Sequence, residues 1–465
     1  MSTQEQRKKF PHVYVVLLTI VVICAILTYI VPAGEYERVE APDGRMVVDP
    51  VSYTRTESNP IPPFGILEAI PKGMVDVASI IFFIFIVGGA FGVVEATGAF
   101  EGAINNITSS MKGRERWIIP IVMFIFSLGG GIFGMAEETL PFIPIMVSLA
   151  VSLGFDSLVG AGMVLTGAGA GFSGAFLNPF TVGVAQGVAG LPTFSGLAFR
   201  IVMYVVMVTA TILWMIRYSD KVKKDPTRSL MYELDKKRDE ADTHKEMREF
   251  LPRDRWILLI VLATIVMLVV GVIAFGWYIQ EIAALFLGMA IVVSIVGGLG
   301  FNGFGEELVN GMANMAGGAL VVGFARAILV VLSDGMILDT ILHATSNLVS
   351  QLPSSLTAVG MYVFQVLLNF LIPSGSGQAA VSIPIMAPLA DLVGVTRQTA
   401  VVAFQLGDGI SNIFTPTSGY FIAGLALAKI PYDRWARWIL PLISLQYALG
   451  AVFVIAANLI HLGPF

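Results

Sequence analysis

Glu137 and Glu138 stand side by side in "GMAEETLPFIPIM", residues 134–146, and between Trp117 and Phe199 the only other charged residue is Asp156. Carboxylates isolated in an apolar run can hold a proton, an alkali cation or the cationic group of a ligand. Two more charges share that isolation: Arg326 in "VVGFARAILVV" and Asp408 in "GDGISNIFTPTSG". Each costs about 2.5 kcal/mol or more at the centre of a bilayer, so it should face a cavity or pair with another. A structural Arg–carboxylate pair is one alternative; for Asp408 a helix-break cap is another. The two adjacent glutamates point in different directions, so one can read a ligand while the other holds the backbone. Thr139, Asn178, Ser374, Ser376, Gln378, Ser411, Asn412, Thr415 and Thr417 supply neutral contacts, and Ser173, Asn178, Asn412 and Ser418 are candidate Na+ neighbours. Na+ or H+ is thus a candidate coupling ion, and no other cofactor is implied.

Composition says what holds these residues. Of 465 residues 56% are hydrophobic and 13% charged, against about 25% charged in soluble proteins. Mean hydropathy is +0.80, and apolar runs long enough to span recur from end to end, which reads as an all-α polytopic membrane protein. The single cysteine, Cys24, excludes an internal disulfide, and the four histidines are scattered. With no zinc spacing, phosphate loop or nucleophile elbow, enzyme chemistry and nucleic-acid binding have nothing to stand on. "QRKKF" followed by "HVYVVLLTIVVICAILTYIV" has a basic-then-apolar order. Its apolar part is too long for a signal core and lacks an A-x-A site, so it reads as a first membrane helix over about 12–32.

Charge then sets orientation. Arg7, Lys8 and Lys9 place the N-terminus in the cytoplasm. Lys112, Arg114 and Arg116 mark the next inner face, and 217–255 holds 12 of the 28 Lys and Arg residues among 10 acids. Lys429, Arg434 and Arg437 mark a third inner loop and leave the C-terminus outside. Residues 33–62 are expected as an outer loop, and a second helix over about 76–98.

The chain also repeats itself. "FIPIMVSLAVSLG" (142–154) matches "SIPIMAPLADLVG" (382–394), "GAGFSGAFLNPFTVG" (169–183) resembles "GDGISNIFTPTSG" (407–419), and "GMVDVAS" (73–79) resembles "GMANMAG" (311–317), at offsets near 238–240. Helices near 196–217, 256–275 and 277–298 separate the copies and invert the second. The expected fold is two inverted repeats, each with a re-entrant hairpin and a broken transmembrane helix, in about 9 crossing helices plus 2 hairpins. The first repeat spans 1–217, with hairpin 117–155 and broken helix 157–190. A cytoplasmic linker follows over 218–255 and a linking helix over 256–276. The second repeat spans 277–465, with hairpin 355–394 and broken helix 396–428. Each arm of the first hairpin is too short for a core of about 30 Å; two full helices with the glutamates among headgroups is the alternative. Pro141, Pro144 and Pro384 are expected in the first turn of a returning arm, and Asp156 and Thr396 as N-caps. Bare backbone at "GAGAGFSGAFLNPF" and "GDGISNIFTPTSG" cannot face lipid but can line a cavity, so two tips and two breaks should converge. A channel, a scaffold or a membrane enzyme fits inverted hairpins less well.

"IVPAGEYER" after the first helix, with the paired hairpin and break motifs in this order, resembles the YfcC family of the DcuC-like carriers, in the ion transporter superfamily. The resemblance covers essentially the whole chain. It implies a bacterial inner-membrane homodimer with scaffold and transport domains and an elevator mechanism. It also implies exchange of basic amino acids of the arginine/ornithine type, with ion-coupled C4-dicarboxylate symport as the alternative. Relatives carry Ser-Asn-Thr at their hairpin tips; here the tips read "GMAEET" and "PSGSGQ". An excess of acids (Glu137, Glu138, Asp408) over Arg326 at the expected centre favours a cationic substrate.

Overall fold

The computed structural model describes residues 13–40, 46–99, 114–242, 251–277, 279–352 and 354–463; Arg7, Lys8, Lys9 and Lys112, which carry part of the expected orientation, lie outside these. The described chain is helical except for two small antiparallel pairs, β1 (Gly34–Glu35) with β4 (Thr54–Arg55) and β2 (Arg38–Glu40) with β3 (Met46–Val48). The helices are α1 (Val13–Ile30), α2 (Pro63–Asp76), α3 (Ala78–Ala96), α4 (Ile118–Leu128), α5 (Phe142–Ser152), α6 (Ser157–Ser173), α7 (Val184–Val188), α8 (Leu197–Lys224) and α9 (Tyr232–Asp242). They continue as α10 (Pro252–Phe275), α11 (Ile279–Gly297), α12 (Gly300–Asp334), α13 (Leu338–Ser350), α14 (Ser354–Leu371), α15 (Gly375–Val393), α16 (Arg397–Ser411), α17 (Gly419–Leu427) and α18 (Tyr432–Leu459). Among the described residues, 7 helical stretches are long and apolar enough to cross a membrane. Breaks shorten others: α6 has 17 residues and α16 has 15, below the roughly 20 of a full span. Large apolar side chains stay uncovered on the flanks, Val205 and Val452 among them, as lipid contact requires.

Side-chain contacts define two opposite ends, with α8 as the ruler. At its C-terminal end Lys223 pairs with Glu115 at 3.2 Å and Arg116 with Asp220 at 3.0 Å. Asp156 is there too, accepting from the Val159 amide at 2.9 Å and from Ser229 Oγ at 2.6 Å, so the cap read from sequence is present and α6 starts at this end. Arg434 reaches the Leu230 carbonyl, and Arg238 the Lys429 carbonyl, making this the basic end. At the N-terminal end of α8, Gln398 Nε2 donates to Ser195 Oγ at 2.9 Å, and Thr396 caps α16 through the Thr399 amide at 3.2 Å. The β pairs belong to this second end. Arg38 grips Asp339 of α13 at 2.7 Å, and Tyr36 hydroxyl lies 3.0 Å from His343 Nδ1. Burial pushes the Tyr36 phenol up to about 12. Helices α6 and α16 therefore run antiparallel. They meet so closely that a Cβ on Gly409 would lie 2.5 Å from Ser173 Cα, and one on Gly169 2.6 Å from Ile413 Cγ2.

Both helical hairpins follow from these ends. Helix α4 starts beside Glu115, and α5 ends just before Leu153, whose carbonyl accepts from Lys223, so this hairpin opens at the basic end. Its returning helix has 11 residues, about 16 Å at 1.5 Å per residue, whereas the first arm is helical from Glu115 to Phe133, 19 residues, and is one of the 7 stretches long enough to cross. The second hairpin, α14 and α15, opens at the β end, where Arg397 pairs with Asp391 at 2.6 Å. Pro141 precedes α5 and Pro144 lies in its first turn, but Pro384 does not match them. Because Ser374 caps α15 at the tip, the helix starts at Gly375 and both Pro384 and Pro388 fall inside it, each removing one helical hydrogen bond.

Candidate substrate site

The first hairpin tip is unwound. A π-turn, Gly129–Phe133, ends in Gly134 at φ 70°, and a 3-10 turn over Glu137–Thr139 leads into α5. Gly134 has no room for a side chain, since a Cβ would lie 2.5 Å from Asn178 Oδ1. That oxygen accepts from the Phe180 and Thr181 amides at 2.9 and 3.3 Å, capping the helix that resumes after the first break. The Phe176 and Leu177 amides both donate to the Gly131 carbonyl at 3.2 Å, which joins break to tip. The two glutamates part here. Glu138 is 5% exposed and turns back, Oε2 accepting from the Ala136 amide at 2.9 Å. Glu137 is less buried and stands at the cavity.

The second tip is compact. Ser374 Oγ accepts from the Gly377 amide at 3.3 Å, and α15 begins at once. Behind it lies a buried polar network. Asn369 Nδ2 sits 2.9 Å from Asp408 Oδ1 and 3.2 Å from both Gln378 Oε1 and Asn412 Oδ1, while Gln378 Nε2 donates to Gln365 Oε1 at 2.8 Å. The second break, between α16 and α17, exposes carbonyls that α18 satisfies: Trp435 Nε1 donates to Ile413 O and Tyr432 hydroxyl to Phe414 O, each at 3.0 Å. A backbone carbonyl left unpaired away from water would cost several kcal/mol.

Both tips and both breaks border one cavity of about 290 Å³. Of the sequence-predicted residues, Glu137, Glu138, Ser374, Ser376, Asn412, Thr417 and Arg326 line it. The other six stand outside the lining. Thr139 donates to the Ala136 carbonyl, Asn178 caps the first break, Gln378 and Asp408 belong to the buried network, Ser411 meets Tyr447 hydroxyl and Thr415 meets Thr417. Asp408 thus lies behind the wall, and the cavity carries two acids and one arginine rather than three acids. Of the candidate Na+ neighbours, Asn412 lines the cavity, while Ser173, Asn178 and Ser418 are buried outside it. No group of three or more His, Cys, Asp or Glu side chains suited to a metal occurs among the described residues.

Arg326 also lines a vestibule of about 620 Å³ with Glu68, Lys72, Asp76 and Asp334. Its Nε donates to Asp76 Oδ2 at 3.2 Å, and both side chains keep around 40% exposure, 39% and 44%. Asp76 escaped the sequence reading, although it is the only charge between Lys72 and Glu95, the same signal that singled out Glu137. Tyr420, which follows the second break, and Asn369, a lone amide in the apolar "LLNFLIP", were missed as well.

The sequence model of the C4-dicarboxylate anaerobic carrier family, DcuC, matches residues 10–459. The "Putative basic amino acid antiporter YfcC" of Escherichia coli (strain K12) is 35% identical, over 98% of each chain. The chain belongs to the DcuC family. An uncharacterized protein of Haemophilus influenzae (strain ATCC 51907 / DSM 11121 / KW20 / Rd) is 29% identical over 98% of each chain. Among solved structures, the Alcanivorax borkumensis YdaH transporter aligns over 96% of this chain and 98% of its own, with TM-score 0.41 and 16% identity. DcuC membership makes the protein a multi-pass membrane transporter and not an enzyme. For a DcuC-family transporter, a cavity with acids on one hairpin tip and a guanidinium on α12 offers contacts for both ends of a small charged solute.

Proposed function

We propose that the protein exchanges basic amino acids of the arginine/ornithine type across the bacterial inner membrane. The observation that carries this reading is the cavity itself, where Glu137 and Glu138 share the lining with Arg326. A cationic amino acid supplies a cation for Glu137 and a carboxylate for Arg326, which would leave its Asp76 partner. The name of the Escherichia coli relative points the same way. Antiparallel α6 and α16, with hairpins opening at opposite ends, support two inverted repeats, 1–217 and 277–465, joined by a linker over 218–255 and a helix over 256–276. In this reading the tips and breaks form the moving part of an elevator in each protomer of a homodimer. The basic end, with Lys223, Arg238 and Arg434, faces the cytoplasm by the positive-inside rule. The N-terminus is then cytoplasmic and the C-terminus outside.

Proteoliposomes loaded with ornithine test the substrate: external arginine should accumulate only when ornithine is inside. The family description favours a second reading, ion-coupled C4-dicarboxylate symport. Succinate uptake into empty vesicles, with no arginine counterflow, would replace the first reading by the second.

A further inference from the structure

Arg200 lies one turn inside α8 and is 0% exposed. Its guanidinium makes one hydrogen bond, Nη2 to Gln398 Oε1 at 3.1 Å, while Nε and Nη1 have no partner. Among the described residues no carboxylate pairs with it. Arginine does not shed its proton in a protein, so a full positive charge is buried, and buried charges persist only when paired.

The neighbours are neutral. Gln186 Nε2 donates to the Ser195 carbonyl at 2.8 Å and to Gln398 Oε1 at 3.0 Å, and Gln398 Nε2 donates to Ser195 Oγ at 2.9 Å. Asp391, six residues before Arg397, is taken by that arginine at 2.6 Å, and Asp339 by Arg38 at 2.7 Å. Helix α16, with 15 residues, begins beside the cluster at Thr396 and Arg397, so its first turn adds positive potential rather than compensation. Full burial keeps lipid phosphates and amino acids away, and none of Arg200, Gln186 or Gln398 lines the substrate cavity.

We propose that Arg200, beside Gln398 and the first turn of α16, is an inorganic monovalent-anion site of chloride size, which supplies the missing countercharge and fastens the start of α16 to α8. The site is independent of which solute the cavity carries. The test is thermal unfolding of the detergent-purified full chain, exchanging gluconate for chloride or bromide at constant ionic strength. A saturable rise of the midpoint by roughly 2–4 °C is expected, with none in Arg200→Met. Gln398→Glu places a carboxylate on the guanidinium; its midpoint should be high already in gluconate and no longer respond to halide. The proposal is overturned if the wild-type midpoint ignores chloride, if Arg200→Met keeps the rise, or if Gln398→Glu follows chloride as the wild type does. Should Arg200→Met fail to fold, the wild-type and Gln398→Glu curves decide alone.

Discussion

Residues 134–139 and 374–379 stand 240 positions apart, yet the two tips are built differently. The first unwinds through a π-turn, a left-handed Gly134 and a 3-10 turn; the second passes from Leu371 to Gly375 in three residues. At that offset Glu138 corresponds to Gln378 and Glu137 to Gly377. The matched pair Glu138 and Gln378 both bind their own half, one to the Ala136 amide at the cavity edge and the other to Gln365 and Asn369 behind it. Glu137 has no side-chain counterpart. Each tip thus holds a polar anchor to its own surroundings, and one of them adds a charge at the cavity.

The strongest way to break that comparison is Glu137→Gln. A charge-assisted contact is worth about 1.5–3 kcal/mol, so arginine counterflow should fall roughly 10- to 100-fold with the unfolding midpoint kept. Glu138→Gln should instead lower the midpoint and spare the apparent affinity for arginine. Exchange of those two phenotypes would reverse the roles of the glutamates.

Gly134→Ala comes next. It forces a side chain into φ 70° and to within 2.5 Å of Asn178 Oδ1, whereas Gly394, at φ 76°, has nothing within 4 Å of a Cβ. Backbone strain alone costs about 1–3 kcal/mol. Gly134→Ala should therefore destabilise more than Gly394→Ala in thermal unfolding, and equal losses would mean that the contact between tip and break contributes nothing. Gln378→Ala sharpens the neutral half. Leaving its buried amide partners unpaired should cost about 1–3 kcal/mol of stability, while the ratio of arginine to succinate uptake stays unchanged. A shift in that ratio would make the second tip a reader of charge too.

Much of this was legible in one chain. The 238–240 offset predicts where Ser173 and Ser411 end their helices, because glycine, proline and small polar residues break helices wherever they cluster. Asp156 and Thr396 read as caps for local reasons and cap as expected. What escaped depends on packing across the sequence. Asp408 looks like a site residue from its isolation, yet Asn369, 39 residues away, takes it into the wall. An Arg–carboxylate pair was open for Arg326, but its partner Asp76 lies 250 positions earlier and was not legible. Pro384 misled because its own position says nothing of where Ser374 starts the helix.

Ser374 gives the smallest and most discriminating test, since it both caps α15 and lines the cavity. Its bond to the Gly377 amide is long, 3.3 Å, so Ser374→Ala should cost about 0.5–1 kcal/mol, the low end for N-caps. Ser374→Asp keeps the acceptor and adds a negative charge where the helix N-terminus favours one, so the midpoint should recover. The same carboxylate enters the cavity that Glu137 already occupies. If that cavity reads cations, Ser374→Asp leaves arginine counterflow intact or tightens it and excludes succinate further. If it reads dicarboxylates, the variant is stable but inactive toward succinate, with no gain for arginine. Stability and selectivity thus separate at one position, and the compact tip becomes a direct probe of the charge that the unwound tip presents.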